Sequence, residues 1–207
     1  MITLIPTEAG SLAALEGALD RLGHRHLRAA QPDQAADAGP VILGGMGPLD
    51  RTCADLKASG WWQGLPQLAA DGRPVLGINV GLHLLAEGSE ECPRGRGLGL
   101  IPGIVRRLGP GVKVPNWGWL RVQPGREHPL TSGFRDTWLF FAHCHALEPT
   151  AETLATACHG RAFSALECRG RAVGLQAHLE KSGPQGLALL GRLLAALGEE
   201  PPSDGAN

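Results

Sequence analysis

The sequence predicts an α/β fold with a mostly parallel sheet and helices on both of its faces. Short apolar runs alternate along the chain with helical patterns, which is the order of elements that builds such a sheet. The runs at Val41–Leu43 and Val75–Ile78 are almost wholly apolar, as expected for strands covered on both sides. With 207 residues, 43% of them hydrophobic, the chain is long enough for one domain with a full core.

The N-terminal half contains three predicted strands and two helical segments. Residues 1–5 form the first strand, followed by a helix that Gly23 ends. Leucines at helical spacing form one face of that helix: Leu12, Leu15, Leu19 and Leu22. Val41–Leu43 and Val75–Ile78 are the next two buried strands, and residues 50–71 between them are predicted as a helical region.

The C-terminal half is predicted to complete the sheet with a mixed or antiparallel portion. Residues 112–122 and 138–142 are strands of that portion, and residues 173–177 form a strand that leads to His178. A stripe of core leucines predicts the closing helix: Leu187, Leu190, Leu193, Leu194 and Leu197. We assign residues 1–198 to one domain and expect residues 199–207, which are polar and rich in proline, to form a disordered tail.

The composition limits the classes of partner and compartment. A formal net charge of -1 gives no basic surface for nucleic acid or for an anionic membrane. No segment approaches the roughly 20 apolar residues of a membrane span, and the start of the chain lacks a secretory signal. Five cysteines without CxxC spacing are expected to be reduced thiols. We therefore expect a cytoplasmic protein with no nucleic-acid or membrane partner, no cofactor and no bound metal.

The most informative segment is the sharp turn after the strand Val75–Ile78. It has the pattern of a nucleophile elbow, in which glycines let a helix approach a strand and the central residue adopts a strained backbone conformation. Gly77 and Gly81 are the glycines, and the central residue is Asn79. Asparagine tolerates positive φ, but its amide nitrogen is delocalised and is not a nucleophile.

Five ordered segments carry a resemblance to a known family. Residues 74–85 resemble the GICLGMQLL elbow of class I glutamine amidotransferases, and residues 41–47 resemble VILPGVG. Residues 97–103 resemble GLGLIPG, residues 113–119 resemble KVPHMGW, and residues 174–182 resemble GVQFHPEKS. Together they resemble the glutamine amidotransferase subunit of imidazole glycerol phosphate synthase, whose flavodoxin-like fold the chain is expected to share.

The resemblance implies the roles of the site residues. His178 and Glu180 stand at the family's catalytic histidine and glutamate, whereas Asn79 stands where the family has its cysteine nucleophile. His83 occupies the position of a glutamine that contacts substrate. The remaining expected pocket residues are Gly45 and Gly47 of the oxyanion loop, Gly81 of the elbow, and His143, Cys144 and His145 in place of the family's HSYY segment.

These departures predict a subunit without glutaminase activity. Removing the nucleophile of a catalytic triad lowers the rate by about 10⁶, because the remaining members have nothing to activate. In the family this subunit delivers ammonia to a cyclase subunit with a (β/α)₈ barrel in histidine biosynthesis, so the resemblance implies a heterodimer with a cyclase-like barrel. Trp119 and Lys181 are expected to contact the barrel, and an alternative places one ring of Trp117 and Trp119 in the core and the other outside.

Several alternatives remain open from the sequence. Cys144 is a candidate for a relocated nucleophile, although strand alternation would put its side chain on the face opposite to both neighbouring histidines. His83, His178, Glu180 and one of His143 or His145 could converge on a zinc ion. The chain could also be an active amidotransferase that supplies ammonia, a hydrolase built on the histidines, or a protein that binds a small amide or amino acid.

Overall fold

A computed structural model describes residues 1–8, 12–92 and 96–198. The predicted tail at residues 199–207 lies outside the described residues. The strands are β1 (Ile2–Leu4), β2 (His26–Arg28), β3 (Val41–Leu43), β4 (Val75–Ile78), β5 (Gly88–Ser89), β6 (Ile104–Arg107), β7 (Asn116–Pro124), β8 (Thr137–His143), β9 (His145–Leu147), β10 (Thr153–His159), β11 (Arg161–Arg169) and β12 (Ala172–Leu175). The α-helices are α1 (Ala13–Arg21), α2 (Leu49–Ala58), α3 (Trp61–Ala70), α4 (Val80–Leu85) and α5 (Gly183–Gly198), and short 3₁₀ helices lie at Pro32–Gln34, Pro129–Thr131 and Leu179–Lys181.

Within the described residues, nine strands form one sheet in the order β2-β1-β3-β4-β12-β11-β10-β7-β8. The strands from β2 to β12 pair in parallel, and those from β12 to β8 pair antiparallel. A smaller sheet joins β5, β6 and β9. The large sheet therefore has a parallel half like that of flavodoxin-like folds and an antiparallel extension.

The parallel half has helices on both faces. Ile42 of β3 and Leu76 of β4 pack in one core with the apolar sides of α1 and α5. Their neighbours Val41, Leu43 and Val75 pack in a second core with α2, α3 and α4. Because successive strand residues point to opposite faces, each buried strand contributes to both cores. The predicted fold class is confirmed.

The predicted helical region at residues 50–71 is two helices. Gly60 separates α2 from α3 and has φ of 82°, a left-handed conformation that ends the first helix. Glycine adopts this conformation without the steric cost that a Cβ would bring. The sequence pattern correctly predicted helix in this region, but it did not show that Gly60 divides the region into two helices.

The antiparallel extension was the least predictable part of the sheet. The strand expected over residues 112–122 begins only at Asn116, and β2, β5, β6, β9, β10 and β11 were not predicted. Several of these strands are half exposed, so they lack the continuous apolar runs that marked the parallel strands; β6, for example, buries only Val105 fully. Their place in the sheet depends on pairing with distant partners.

The fold brings four chain segments to one edge of the sheet. Parallel strands β3, β4 and β12 end there, and their carboxyl ends lead to Gly44, Asn79 and Gln176. Strand β8 lies four positions from β12 in the sheet, yet Phe140 O accepts the N–H of His178 at 2.9 Å. The antiparallel extension therefore curls back over this edge and closes a site above it.

The close approach of α4 to the parallel strands yields a stability prediction. A Cβ on Gly81 would lie 2.0 Å from Leu43 O, a backbone atom at the end of β3. We expect Gly81→Ala to lower the free energy of unfolding by about 1–3 kcal/mol because of this overpacking, although alanine is the better helix former. Urea denaturation measures the change. Gly109→Ala is the control, since a Cβ there meets no atom within 4 Å, and equal stability of the two variants would contradict the packing argument.

Candidate active site

Asn79 occupies a strained turn between β4 and α4. Its backbone has φ of 54° and ψ of -106°, a conformation that few residues other than glycine adopt. The Asn79 N–H donates to Leu175 O at 2.7 Å, and Asn79 O accepts from His83 N at 3.2 Å. These bonds to β12 and to the first turn of α4 hold the turn in place, so the predicted elbow geometry is confirmed.

The Asn79 side chain is bound by backbone carbonyls. Its Nδ2 donates to Ala142 O at 3.1 Å and to Gln176 O at 3.5 Å. These contacts join the elbow to β8 and to the end of β12, and the one to Ala142 O is the closer. The amide therefore fills the nucleophile position as a structural link, with no group able to attack a carbonyl.

His178 and Glu180 form a buried pair in the segment after β12. His178 Nδ1 lies 2.7 Å from Glu180 Oε1, and the His178 side chain is only 1% exposed. A carboxylate can only accept, so in this contact the imidazole donates from Nδ1. Neither His178 Nε2 nor Glu180 Oε2 has a hydrogen-bond partner among the described residues. The structure therefore brings the predicted pair together in hydrogen-bond contact.

Strand β8 holds the segment that carries this pair. Ser182 Oγ donates to His178 O at 2.6 Å and accepts the N–H of Phe140 at 2.9 Å. The Phe140 ring lies 6.5 Å, centroid to centroid, from the His178 ring. Together with the bond from His178 N to Phe140 O, these contacts hold the His178 backbone against β8.

A cavity of about 190 Å³ lies beside the elbow. Five of the predicted pocket residues line it: Gly47, His83, His143, Cys144 and His145. Asn79 also lines it. The other two predicted residues do not: Gly81 packs beneath the elbow against Leu43 O. Gly45 lies in the loop before the cavity wall and has φ of 139°. The cavity thus brings together the elbow, the loop after β3 and the end of β8.

His143 is a structural residue of the cavity wall. Its Nδ1 lies 2.9 Å from His145 O and its Nε2 lies 2.8 Å from Asn116 Nδ2, so the ring donates from Nδ1 and accepts at Nε2. Burial lowers the pKa of His143 to about 3, because the charged ring would lose its hydration. Both ring nitrogens have partners within the protein, so His143 is neither a free base nor a free ligand.

Glu91 is a cavity residue that the sequence analysis did not single out. Its Oε2 lies 3.6 Å from His83 Nδ1 and 3.6 Å from His145 Nδ1, and its Oε1 accepts the N–H of Leu49 at 3.1 Å. Burial tends to raise the pKa of the Glu91 carboxyl, but the neighbouring histidines and the Leu49 N–H hold it below its usual range. Burial also lowers the pKa of His145, an effect that the Glu91 charge opposes. Glu91 is therefore an ionised carboxylate between two imidazoles.

Two other polar residues complete the wall. Gln176, which is fully buried, places its Oε1 3.0 Å from His83 Nε2, and Asn116 orients His143. Gln176 lies within the segment that resembled GVQFHPEKS, so that motif was a signal for it. Glu91 lies in an acidic loop with no signal of its own, and only the folded chain shows that it faces His83.

Strand alternation was the wrong argument for Cys144. This residue lies between β8 and β9, where the strand is interrupted, and it lines the same cavity as both neighbouring histidines. The described residues nevertheless provide no hydrogen bond from an imidazole to Cys144 Sγ. A thiol nucleophile there lacks the positioned base that activates one.

The zinc alternative receives no support from the geometry. Within residues 1–8, 12–92 and 96–198, no three His, Cys, Asp or Glu side chains converge in an arrangement that could hold a metal ion. His178 Nδ1 already bonds Glu180, and His143 is satisfied by Asn116 and His145. The ring nitrogens of these predicted ligands are therefore engaged in hydrogen bonds within the protein.

The predicted contact residues lie beside the site. Trp117 and Trp119 are 63% and 49% exposed, and both rings meet Phe140 edge-on, at centroid distances of 5.7 and 6.1 Å. The alternative with one ring buried is wrong, because residues two apart on a strand share a face. Lys181 is exposed, and its Nζ contacts Met46 Sδ at 3.0 Å.

Comparison with known proteins points to one family. The chain is 38% identical over 209 residues to the imidazole glycerol phosphate synthase subunit HisH of Symbiobacterium thermophilum, covering 98% of each chain. It is 36% identical over 193 residues to the subunit of the same name from Streptococcus gordonii, covering 92% of this chain and 93% of that one. No protein-family model matches the chain.

Solved structures support the fold. A glutamine amidotransferase crystal structure matches 96% of this chain and 100% of its own with a TM-score of 0.72 at 18% identity. PurLQS from Thermotoga maritima matches 95% of this chain and 98% of its own with a TM-score of 0.72 at 19% identity.

No helix of the described residues combines the length and apolar character needed to cross a membrane.

The buried neutral state of His143 predicts a pH dependence of stability. Unfolded His143 takes up a proton near pH 6.5, whereas the folded residue does so only at about pH 3. The folded state therefore loses stability as the pH falls from about 6.5 towards 3, and we expect His143 to account for a loss of about 2 kcal/mol between pH 7.5 and pH 5.

Urea denaturation of the natural chain and of His143→Gln at both pH values measures this contribution. The variant should lose less stability between pH 7.5 and pH 5, whatever its stability at pH 7.5. An identical pH dependence in the two proteins would show that His143 accepts a proton in the folded state.

Proposed function

The chain belongs to the family of imidazole glycerol phosphate synthase subunit HisH, and from this premise we propose that it is a binding and regulatory subunit that has lost glutaminase activity. The family predicted from the sequence motifs is thereby confirmed. The observation that carries the proposal is the Asn79 amide at the nucleophile position, with its N–H groups directed to Ala142 O and Gln176 O.

The chemistry of glutamine hydrolysis supports this proposal. The reaction needs a thiolate that forms a thioester with the substrate, a histidine that moves the proton and a carboxylate that orients the histidine. The chain retains the last two as His178 and Glu180, and their geometry is intact. Without a nucleophile this pair has no proton to remove from an attacking group, so the first step of the reaction does not start.

The proposed partner is a cyclase-like (β/α)₈ barrel, in a heterodimer that uses ammonia from solution. Exposed residues beside the site support a docking role: Trp117 and Trp119 extend from one strand face, and Lys181, in the segment after His178, contacts Met46, which lines the same cavity as Trp117. Tryptophan is among the residues that contribute most to binding when an interface covers it. The five free thiols suit the reducing cytoplasm, where we place this complex.

The cavity favours a second candidate function. About 190 Å³ is enough for a small amide or amino acid, and the walls combine polar side chains with Met46 and Trp117. A protein with this cavity and no nucleophile could report the presence of such a molecule to its partner. This function is compatible with docking to the barrel and would explain why the cavity persists.

A glutaminase assay tests the loss of activity. We expect no turnover of glutamine by the natural chain, alone or with its cognate barrel, because the loss of the nucleophile lowers the rate by about 10⁶. Asn79→Cys and the double variant Asn79→Cys with His178→Ala are the matched comparison, since only the first combines a thiol with the pair. Turnover by the natural chain that disappears in His178→Ala would contradict the proposal.

Titration calorimetry with the cognate barrel tests the docking patch. We expect Trp119→Ala to weaken binding by about 30-fold, the effect of losing a hot-spot contact of about 2 kcal/mol. Trp62→Ala is the control, since this indole lies on α3 beneath Lys57, away from the patch. Undiminished binding by Trp119→Ala would remove the support for this surface.

A further inference from the structure

Two cysteines from distant parts of the chain lie in the same core. Cys53 is on α2 and is 9% exposed, whereas Cys92 follows Glu91 and is half-buried. Both side chains pack in the second core, which contains the apolar sides of α2, α3 and α4. Both thiols are free in this structure.

Hydrogen bonds hold the two segments that carry these cysteines together. Leu49 N, at the start of α2, donates to Glu91 Oε1 at 3.1 Å. Cys53 is four residues after Leu49, so the two residues lie on the same face of the helix. In the other segment, Cys92 N donates to Ser89 O and Glu91 N donates to Ser89 Oγ, both at 3.1 Å. The turn that ends at Cys92 is therefore held against the face of α2 that carries Cys53.

The two thiols differ in accessibility and in reactivity. Burial raises the pKa of the Cys53 thiol to about 11, and the nearby Cys92 thiol contributes the largest charge effect in the same direction. A thiol that is protonated and enclosed reacts poorly with an external reagent. Cys92 is the more exposed of the two, so an external reagent reaches it first. The pair thus consists of an accessible thiol and a buried neighbour.

We propose that Cys53 and Cys92 form a disulfide when the cellular thiol pool is oxidised, and that this bond alters the cavity through Glu91. The oxidant is a small disulfide such as glutathione disulfide. The Cys92 thiolate attacks one of its sulfurs, a bond from Cys92 Sγ to glutathione forms, and the first glutathione leaves as a thiolate. Cys53 then attacks Cys92 Sγ, and the second glutathione leaves. The two departing thiolates take up the two protons, so two protein thiols are oxidised and one glutathione disulfide is reduced to two thiols.

The bond acts on the cavity because Glu91 is next to Cys92 in the chain. A disulfide holds its two Cβ atoms about 3.8 Å apart, so it sets the position of Cys92 relative to α2. Glu91 Oε2 pairs with His83 Nδ1 and with His145 Nδ1 at 3.6 Å. A displacement of this segment changes both separations, and with them the interaction of the carboxylate with the imidazoles. The proposal goes beyond the proposed function and does not depend on it, since it needs neither glutamine nor a partner.

Peptide mapping tests the formation of the bond. The full-length chain is equilibrated in glutathione buffers from fully reduced to fully oxidised, its free thiols are blocked, and it is digested with trypsin without reductant. Lys57 lies between the two cysteines, so cleavage there separates them. We expect a cross-linked peptide pair that contains Cys53 and Cys92 from the oxidised chain and none from the reduced chain.

Two variants test the order of the two exchanges. In Cys53→Ala the second exchange cannot occur, so we expect glutathione to remain attached to Cys92. Cys158→Ala is the matched control, because this cysteine is exposed on β10, and it should retain the cross-link.

NMR of the histidine side chains tests the effect on the cavity. We expect the imidazole signals of His83 and His145 to move when the natural chain is oxidised. The same treatment of Cys53→Ala should move them less, because no bond then joins the segment to α2. His26, on the edge strand β2, is the internal control and should not respond.

Three outcomes would overturn the proposal. Separate glutathione adducts on the two cysteines, or a bond from Cys92 to another cysteine, would show that these thiols do not reach each other. Two free thiols in the fully oxidised buffer would show that they serve only as small apolar groups of the core. A cross-link that leaves the His83 and His145 signals unchanged would contradict the action on the cavity.

Discussion

The contact of α4 with the ends of β3 and β4 is the constraint on which the site depends. Gly81 lies so close to Leu43 O, and Gly77 to the Gly81 backbone, that neither position has space for a Cβ. This proximity forces the chain to reverse direction within one residue, and Asn79 takes the strained conformation that results. Backbone bonds to β12 and α4 hold that conformation against a cost of about 1–3 kcal/mol.

An asparagine at this turn changes what the turn does. A thiol would be reactive and could make only weak hydrogen bonds. The amide instead donates to a carbonyl of β8 and to one at the end of β12, and so joins the curled extension to the parallel half. Asn79, at the position of the nucleophile, therefore links two parts of the sheet. His178 and Glu180 still form a hydrogen-bonded pair.

Local patterns in the sequence were sufficient for the buried parallel strands β1, β3, β4 and β12 and for the elbow, because each depends on residues close together in the chain, and the family motif added the pair His178 and Glu180. The antiparallel extension was only partly predictable, because its half-exposed strands are defined by their partners. Glu91 could not be found from sequence, since it meets His83 and His145 only after its loop, α4 and the distant end of β8 fold together. Cys144 was misplaced because alternation was applied across an interruption between two strands.

Phe140 gives the molecule a mechanical connection between its surface and its interior. The ring supports the two exposed indoles, while the backbone of the same residue bonds the segments at His178 and Ser182. Two residues further along β8, Ala142 O accepts a hydrogen bond from the amide of Asn79. We expect a partner that displaces the indoles to act on the imidazole and the turn through these contacts, and by thermodynamic linkage any such coupling of binding free energies is reciprocal.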